Sequence, residues 1–180
     1  MAVNADDIVS FWREAGPDRW FEKDSAFDKE IVDRFLVTHE TAAAGKLSDW
    51  EQTAQGTLAL LILLDQFPRN MFRGDARTFA TDALARAVAA GGIVRGFDAQ
   101  VPAAMRGFFY LPFEHSEDLA DQERGIAFYK ASGDADGLKW AEIHADIIRR
   151  FGRFPHRNAV LGRTTTVEEQ AFLDSGGFAG

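Results

Sequence analysis

The feature that most constrains this chain is the helical spacing of its apolar residues. Apolar side chains recur three or four positions apart along most of the sequence, as at Ile143, Ile147 and Phe151. This spacing places one apolar stripe along an α-helix. No segment alternates between apolar and polar residues for long enough to indicate a β-sheet. The pattern therefore predicts an all-α fold.

Capping and breaking residues divide the chain into about seven to eight helices. Asn4 predicts the N-cap of the first helix, Ser116 that of the sixth, and Thr166 with Glu169 a capping box for the last. Gly91-Gly92 is expected to end the fourth helix. Short turns between the helices predict antiparallel helical hairpins, arranged as a bundle or a solenoid.

Two of the predicted helices stand out. The third is expected to be the most buried, because Ser48 opens it with a capping box and residues 58–64 are apolar on every side. We expect Phe67-Pro68 to end it. The seventh is expected to run from about Asp134 to Phe151, with Trp140 on its apolar stripe.

Composition limits the domain count, the location and the classes of partner. The 180 residues contain no linker-like segment, so a single domain over residues 1–180 is expected. A net charge of -8 disfavours nucleic acid as a partner. No apolar run approaches the roughly 20 residues of a membrane helix, and the acidic N-terminal residues lack the pattern of a secretory signal. With no cysteine in the chain, the expected location is the cytoplasm.

Residues 149–163 are the most unusual part of this acidic chain. They contain five arginines and no acid. Because arginine stays charged and presents a rigid fork of donors, these side chains require carboxylates from elsewhere in the fold or an anionic partner. The sequence leaves both explanations open.

Residues 65–74 share with this segment a Phe-Pro pair that is soon followed by Arg-Asn. One explanation is structural, since an arginine and an asparagine after a helix can bond its last free carbonyls. Asp65 is the residue that a purely helix-capping explanation leaves out. A carboxylate near the negative end of a helix needs cations close by. Arg69 and Arg73 are the nearest, and they predict either an ion-pair network or a functional acid held between arginines.

Residues 110–117 place Glu114 and His115 directly before a predicted helix N-terminus. Such a position can bind an anion or orient a general base, and His115 is the first candidate for acid–base chemistry. The alternative is a solvated turn in which Glu114 pairs with one of the arginines.

His144 lies on the apolar stripe of the seventh helix, where a histidine is more often a hydrogen-bonded core residue than a ligand. With His115, His156 and Glu114 it could complete a metal site, but no two histidines have the usual metal-binding spacing. We therefore expect no metal and no cofactor. The familiar phosphate-loop, dinucleotide and nucleophile motifs are also absent from the sequence.

Three segments together resemble an uncharacterised, largely bacterial family catalogued as domain of unknown function nine-two-four. They are DQFPRN at 65–70 with FRG at 72–74, LPFEHSED at 111–118, and RFGRFPHRN at 150–158 with LGR at 161–163. The resemblance covers nearly the whole chain. It implies a tetratricopeptide-like array of helical hairpins, although no consensus repeats at about 34 residues. It implies no activity, cofactor or catalytic residue.

The leading hypothesis is a helical domain that binds a small anionic molecule, a phosphate or a carboxylate, in a pocket lined by Arg, His and Glu. Hydrolase or transferase activity is an extension of it, with His115, Glu114 and His156 as candidate catalytic residues. The candidate ligand-binding residues share amide or charged side chains within the repeated motifs: Asp65, Arg69, Asn70, Arg73, Arg150, Arg153, Arg157, Asn158 and Arg163. The alternative is a non-catalytic tetratricopeptide-like scaffold that binds an acidic peptide or a protein partner.

Overall fold

The structure, a computed structural model, describes residues 3–178. This range contains α-helices, shorter 3-10 helices and one π turn, and no β-strand lies within it. The α-helices are α1 (Ala5–Ala15), α2 (Pro17–Trp20), α3 (Ser25–Ala43), α4 (Ala54–Leu61), α5 (Phe67–Met71), α6 (Asp82–Val94), α7 (Ala103–Arg106), α8 (Leu111–Glu114), α9 (Leu119–Ser132), α10 (Ala135–Phe151) and α11 (Val167–Asp174). The all-α prediction is confirmed.

The described chain forms two compact units. The first takes in the residues up to Arg73 together with Arg77–Pro112, and the second takes in Gly74–Ala76 and the residues from Phe113 onward. The single domain expected from the sequence stays a prediction, as does the tetratricopeptide-like arrangement. None of the helices in the described range is long and apolar enough to cross a membrane.

Several predicted helix starts are confirmed by their capping bonds. Asn4 Oδ1 accepts from the backbone N of Asp7 at 3.0 Å, and the Asp7 carboxylate accepts in return from the backbone N of Asn4 at 2.9 Å. Thr166 and Glu169 form the same reciprocal box at the start of α11. Asp134 caps α10. Ser116, however, is not the cap of α9, because the side chain of Asp118 accepts from its first free amides.

Aromatic rings fill the core of the first unit. Trp12 on α1 is fully buried, and the rings of Trp20, Phe27, Phe67 and Phe108 lie with their centroids 5.6 to 6.1 Å from it. Such offset and edge-on pairs stabilise a core beyond the area that they bury.

Helix α4 begins later and continues further than the sequence predicts. Ser48–Gln52 is a separate 3-10 helix, and Thr53 caps α4 instead. Residues 58–64 are buried as expected. Phe67-Pro68 does not end the helix, because a π turn over Ile62–Gln66 carries it into α5. Pro68 lies in the first turn of α5, where its missing N–H costs little.

Helix α6 also differs from its prediction, since it passes through Gly91-Gly92 and ends at Val94. The reason is packing. A Cβ atom at position 92 would lie 2.9 Å from Phe109 and 2.9 Å from Thr57. Gly92 is therefore small to let neighbouring side chains approach, rather than to stop the helix.

In the second unit, α9 and α10 form a hairpin around Gly133, whose φ of 75° is left-handed. The core of this unit centres on Ile147, Ile148 and Phe154, with Phe172 and Phe178 packed beside them. Trp140 keeps its predicted spacing on the stripe of α10, but it is 50% exposed and so is not a core residue.

Candidate functional site

Two arginines of the basic segment bind carboxylates of the second unit through paired hydrogen bonds. Arg153 donates from Nε and Nη2 to the two oxygens of Glu169 at 2.6 and 2.8 Å. Arg163 donates from Nη1 and Nη2 to the two oxygens of Glu117 at 2.7 and 3.0 Å. These side chains were candidates for binding a ligand, and here they hold the segment to α11 and to the residues before α9.

Glu169 is the centre of this network. It is 2% exposed, and it accepts from the Arg153 guanidinium, the backbone N of Thr166 and the Asn158 side chain. The hydrogen bonds from Arg153 are the main reason that the pKa of Glu169 falls to about 2. The same ion pair raises the pKa of Arg153.

Two further arginines of the segment, Arg150 and Arg157, lie on aromatic rings. The guanidinium of Arg157, which is buried, lies 4.5 Å from the centre of the Phe154 ring. Arg150 lies over Phe151 and Phe172 and is 3.9 Å from Asp146. Its place in the last turn of α10 also complements the helix dipole.

In the first unit, the predicted partnership between Asp65 and Arg69 is present. Asp65 is 1% exposed, and its Oδ1 lies 3.3 Å from Arg69 Nη1. Arg69 also binds both oxygens of Asp82, at 3.1 and 3.2 Å. Burial alone would lower the pKa of Arg69, but the charges of Asp65 and Asp82 more than offset it and the pKa is raised.

Arg73 and Asn70 bind a different acid. Arg73 donates from Nε and Nη2 to the two oxygens of Asp28 at 2.6 and 3.1 Å. Asn70 Nδ2 donates to Asp28 Oδ1 at 2.8 Å. Neither Asp28 nor Asp82 was singled out from the sequence, because both lie far from the motif and carry no local signal.

Side chains also satisfy the backbone of the π turn. His39 Nδ1 is 2.8 Å from the carbonyl O of Leu63, and Thr81 Oγ1 donates to the carbonyl O of Leu64 at 2.5 Å. Arg69 donates to the carbonyl O of Asp65. Hydrogen bonds from side chains to these backbone carbonyls, together with the ion pairs, therefore fix the position of the motif that begins at Asp65.

Glu114 and His144 form a buried pair in the second unit. Glu114 is 3% exposed and His144 is 6% exposed, with Glu114 Oε1 2.9 Å from His144 Nδ1. The solvated turn with an arginine partner is therefore the wrong explanation for Glu114, which pairs with a histidine in the interior. The interpretation of His144 as a hydrogen-bonded core residue is confirmed.

Gln122 supports this pair from α9, although nothing in the sequence marked it. Its Nε2 donates to the carbonyl oxygens of Glu114 and Ser116 at 2.6 and 2.7 Å. Glu114 Oε2 and Gln122 Oε1 are both buried without a hydrogen-bond partner. Unpartnered buried oxygens of this kind are uncommon in folded proteins.

His156 lies close to the same pair. The rings of His144 and His156 both contact Phe154, with centroids 5.6 and 5.5 Å away, and both contact Phe178, at 4.3 and 5.3 Å. Burial lowers the pKa of His156 to about 3, and nearby Arg157, His144 and His115 lower it further against the opposing charge of Glu117. His156 is therefore neutral near pH 7.

A shallow groove with a volume of about 420 Å³ follows one face of α10. Its apolar residues are Ile143, Ile147, Phe172 and Phe178. Its charged residues are Lys139, Glu142, Asp146 and Arg150, all on α10. A second groove, of about 370 Å³, lies between α1 and α3 in the first unit, where Arg34 covers the rings of Phe11 and Phe35.

The structure brings only some of the predicted site residues together. Glu114 and His156 lie in one cluster with His144, which was not among the predicted catalytic residues. Asp65, Arg69, Asn70 and Arg73 belong to the first unit, so their predicted convergence around Glu114 and His115 stays a prediction. Within residues 3–178, no three His, Asp or Glu side chains are arranged to hold a metal ion.

The fold and these buried polar clusters define an all-α protein in which Arg69, Arg73, Arg153 and Arg163 of the Arg-containing motifs pair with carboxylates of their own unit. The chain belongs to a family of bacterial proteins of unknown function, DUF924, whose model matches residues 8–177. It is 52% identical to the protein of unknown function ATU0120 from Agrobacterium tumefaciens. The match to that structure has a TM-score of 0.93 and covers 96% of this chain and 97% of the other. Among curated proteins, none matches the chain.

Proposed function

We propose that this protein is a helical binding module that takes an acidic amphipathic helix of a partner protein into the groove along α10. The observation that carries the proposal is the groove itself, with an apolar floor and charged residues on one helix. A groove of this form is suited to the apolar face of a partner helix, which places anchors three or four residues apart.

Lys139 supports an acidic partner. The other charged residues of the groove have counter-ions nearby, since Glu142 is 3.9 Å from Lys130 and Asp146 is 3.9 Å from Arg150. Lys139 has no ion pair or hydrogen bond with the rest of the described chain. An acidic residue of the partner would complement this cation at the edge of the groove.

The position of Trp140 is further support for partner binding on this face of α10. It lies seven residues before Ile147, which is two helical turns along nearly the same line. Its ring is 50% exposed although nothing in the helix pattern requires an exposed tryptophan. Half-exposed tryptophans are enriched where proteins bind one another.

The anion site predicted from the arginines has less support. Arg69, Arg73, Arg153 and Arg163 all bind carboxylates of their own unit. A small anion would have to displace those carboxylates, several of which are buried, and a buried acid left without its cation is strongly destabilising.

The test is selection from a library of helical peptides of about 16 residues, long enough to cover α10. The library fixes an apolar stripe and randomises the remaining positions. We expect enrichment of acidic residues at one end of the stripe and, for the selected peptides, a loss in affinity of about tenfold or more on Lys139→Glu, as for a removed charge pair. Trp140→Ala and Ile143→Gln should weaken the same peptides.

Val37→Glu is the matched control, because Val37 is an apolar residue that is 75% exposed on α3 in the other unit. It should leave peptide affinity unchanged. The proposal fails if selection yields no peptide that binds more tightly than about 100 μM, or if the groove substitutions and Val37→Glu act alike.

A further inference from the structure

We propose that the second unit also holds a ligand site at His144 and His156, and that this site takes a small oxyanion, a carboxylate or phosphate group, together with a proton. The site differs from the arginine pocket expected from the sequence because its main binding groups are the two imidazoles. Of the predicted arginines it uses only Arg157. The site also differs from the peptide groove in its binding residues, because neither histidine lines that groove.

Glu114 determines the tautomer of His144. His144 Nδ1 lies 2.9 Å from Glu114 Oε1 and 2.8 Å from the carbonyl O of Trp140. Both neighbours are acceptors, so Nδ1 carries the hydrogen. In the neutral ring Nε2 then holds the lone pair, on the edge of the ring that faces away from Glu114. A carboxylate behind a histidine in this way fixes the orientation of its ring.

His156 supplies the second imidazole. It shares both Phe154 and Phe178 as neighbours with His144, and Phe154 is fully buried. Its Nδ1 is buried and has no hydrogen-bond partner in the described structure. A buried ring nitrogen that bonds nothing within the protein is a site where a ligand atom gains a hydrogen bond without displacing one.

The charges around the two rings favour an anion. Arg157 supplies a positive charge beside His156, and Glu117 supplies the opposing charge. Glu117 is itself neutralised by Arg163 and accepts from the backbone N of Phe154 at 2.8 Å.

Proton uptake follows from the same arrangement. Burial beside Arg157 keeps His156 neutral in the ligand-free protein. A bound oxyanion adds a negative charge beside the ring and so favours its protonated form. The anion accepts hydrogen bonds from the imidazolium that forms, and the proton comes from solvent. Anion affinity should therefore rise as pH falls.

Calorimetric titration with inorganic phosphate and with acetate, at constant ionic strength, tests the proposal. We expect affinity to increase by up to tenfold per pH unit as pH falls from about 7.5 to 5.5, for one proton taken up per anion. The two titrations distinguish the ligand class, since tighter binding of phosphate or of acetate identifies which oxyanion the site accepts.

His156→Gln and His144→Gln should each abolish this pH-dependent binding. His39→Gln is the control, because His39 also bonds a backbone carbonyl but lies in the other unit. Glu114→Gln tests a positioning role, and should flatten the pH profile while weak binding persists. Binding of neither anion at millimolar concentration, or binding that His39→Gln and His156→Gln lower equally, would overturn the proposal.

NMR spectroscopy of the unsubstituted protein tests the proposal even if a variant does not fold. Imidazole ¹⁵N shifts distinguish the two tautomers of a histidine. We expect His144 to be protonated at Nδ1, and phosphate or acetate to move the shifts of His144 and His156 but not of His39. Selected peptides should still bind the groove in His156→Gln, so failure of this proposal and failure of the peptide proposal are separate results.

Discussion

At the scale of single residues, several arginines of this protein form bidentate ion pairs with carboxylates of the same unit. Arg153 and Arg163 use both branches of the guanidinium on one carboxylate, and Arg73 does the same with Asp28. Lysine could supply the charge but not this geometry. Hydrogen-bond geometry therefore explains why arginine rather than lysine occupies these positions.

Among these acids, we expect substitution of Glu169 to lower the stability of the protein most. Glu169→Gln keeps the size of the side chain but leaves the Arg153 guanidinium with a neutral partner. We expect the free energy of unfolding to fall by about 3 kcal/mol, as when a buried ion pair loses one member. Urea denaturation measures the change. Glu168→Gln, at the exposed neighbouring position, should change it by no more than about 0.5 kcal/mol.

At the scale of helices, glycine has two different roles in neighbouring positions. Gly91 and Gly92 are both inside α6, and a Cβ atom at Gly91 would meet only Arg95 Nη2 at 3.4 Å. Gly92 instead lies against Phe109 and Thr57. The pair looks like a helix stop in the sequence because glycine is common at helix ends, and only the packing of other elements reveals its actual role.

Substitution by alanine separates the two roles. Gly92→Ala should destabilise the protein by about 1 to 3 kcal/mol, because overpacking outweighs the gain in helix propensity. Gly91→Ala should stabilise it by up to about 1 kcal/mol, since only the propensity gain remains. Thermal denaturation of the two variants checks the expectation. Equal effects would contradict the packing explanation for Gly92.

At the scale of the whole molecule, the sequence predicts three features correctly: the fold class, several helix starts that are set by capping residues, and the burial of residues 58–64. Those features depend on local spacing. The partners of Arg73 and Arg69 could not be predicted, because no local pattern marks Asp28 or Asp82. His144 was grouped with Glu114 only as a possible metal ligand, and their buried pair depends on the tertiary fold. The π turn could not be predicted either, since its carbonyls are bonded by His39 on α3 and by Thr81, the residue before α6.

Stability of the whole protein should decline in acid in two steps. Because the pKa of His156 is about 3 in the folded chain, unfolded histidine binds protons first and stability falls as pH drops below about 6.5. Because the pKa of Glu169 is about 2, a second loss begins below about 4.5. Urea midpoints between pH 7 and pH 3, without phosphate or acetate, measure both. His156→Gln should remove much of the first step and leave the second.

The π turn makes the motif at residues 65–74 sensitive to chain length. A π turn holds one residue more than the α turn it replaces, so every later residue of the helix is rotated by about 100° from its place in an unbroken α-helix. Deleting a single residue from positions 62–64, before the motif begins, would restore the regular helix and leave the motif sequence unchanged. It would also turn Arg69 away from Asp82 and Arg73 away from Asp28. Relatives one residue shorter here would carry the same motif without its ion pairs.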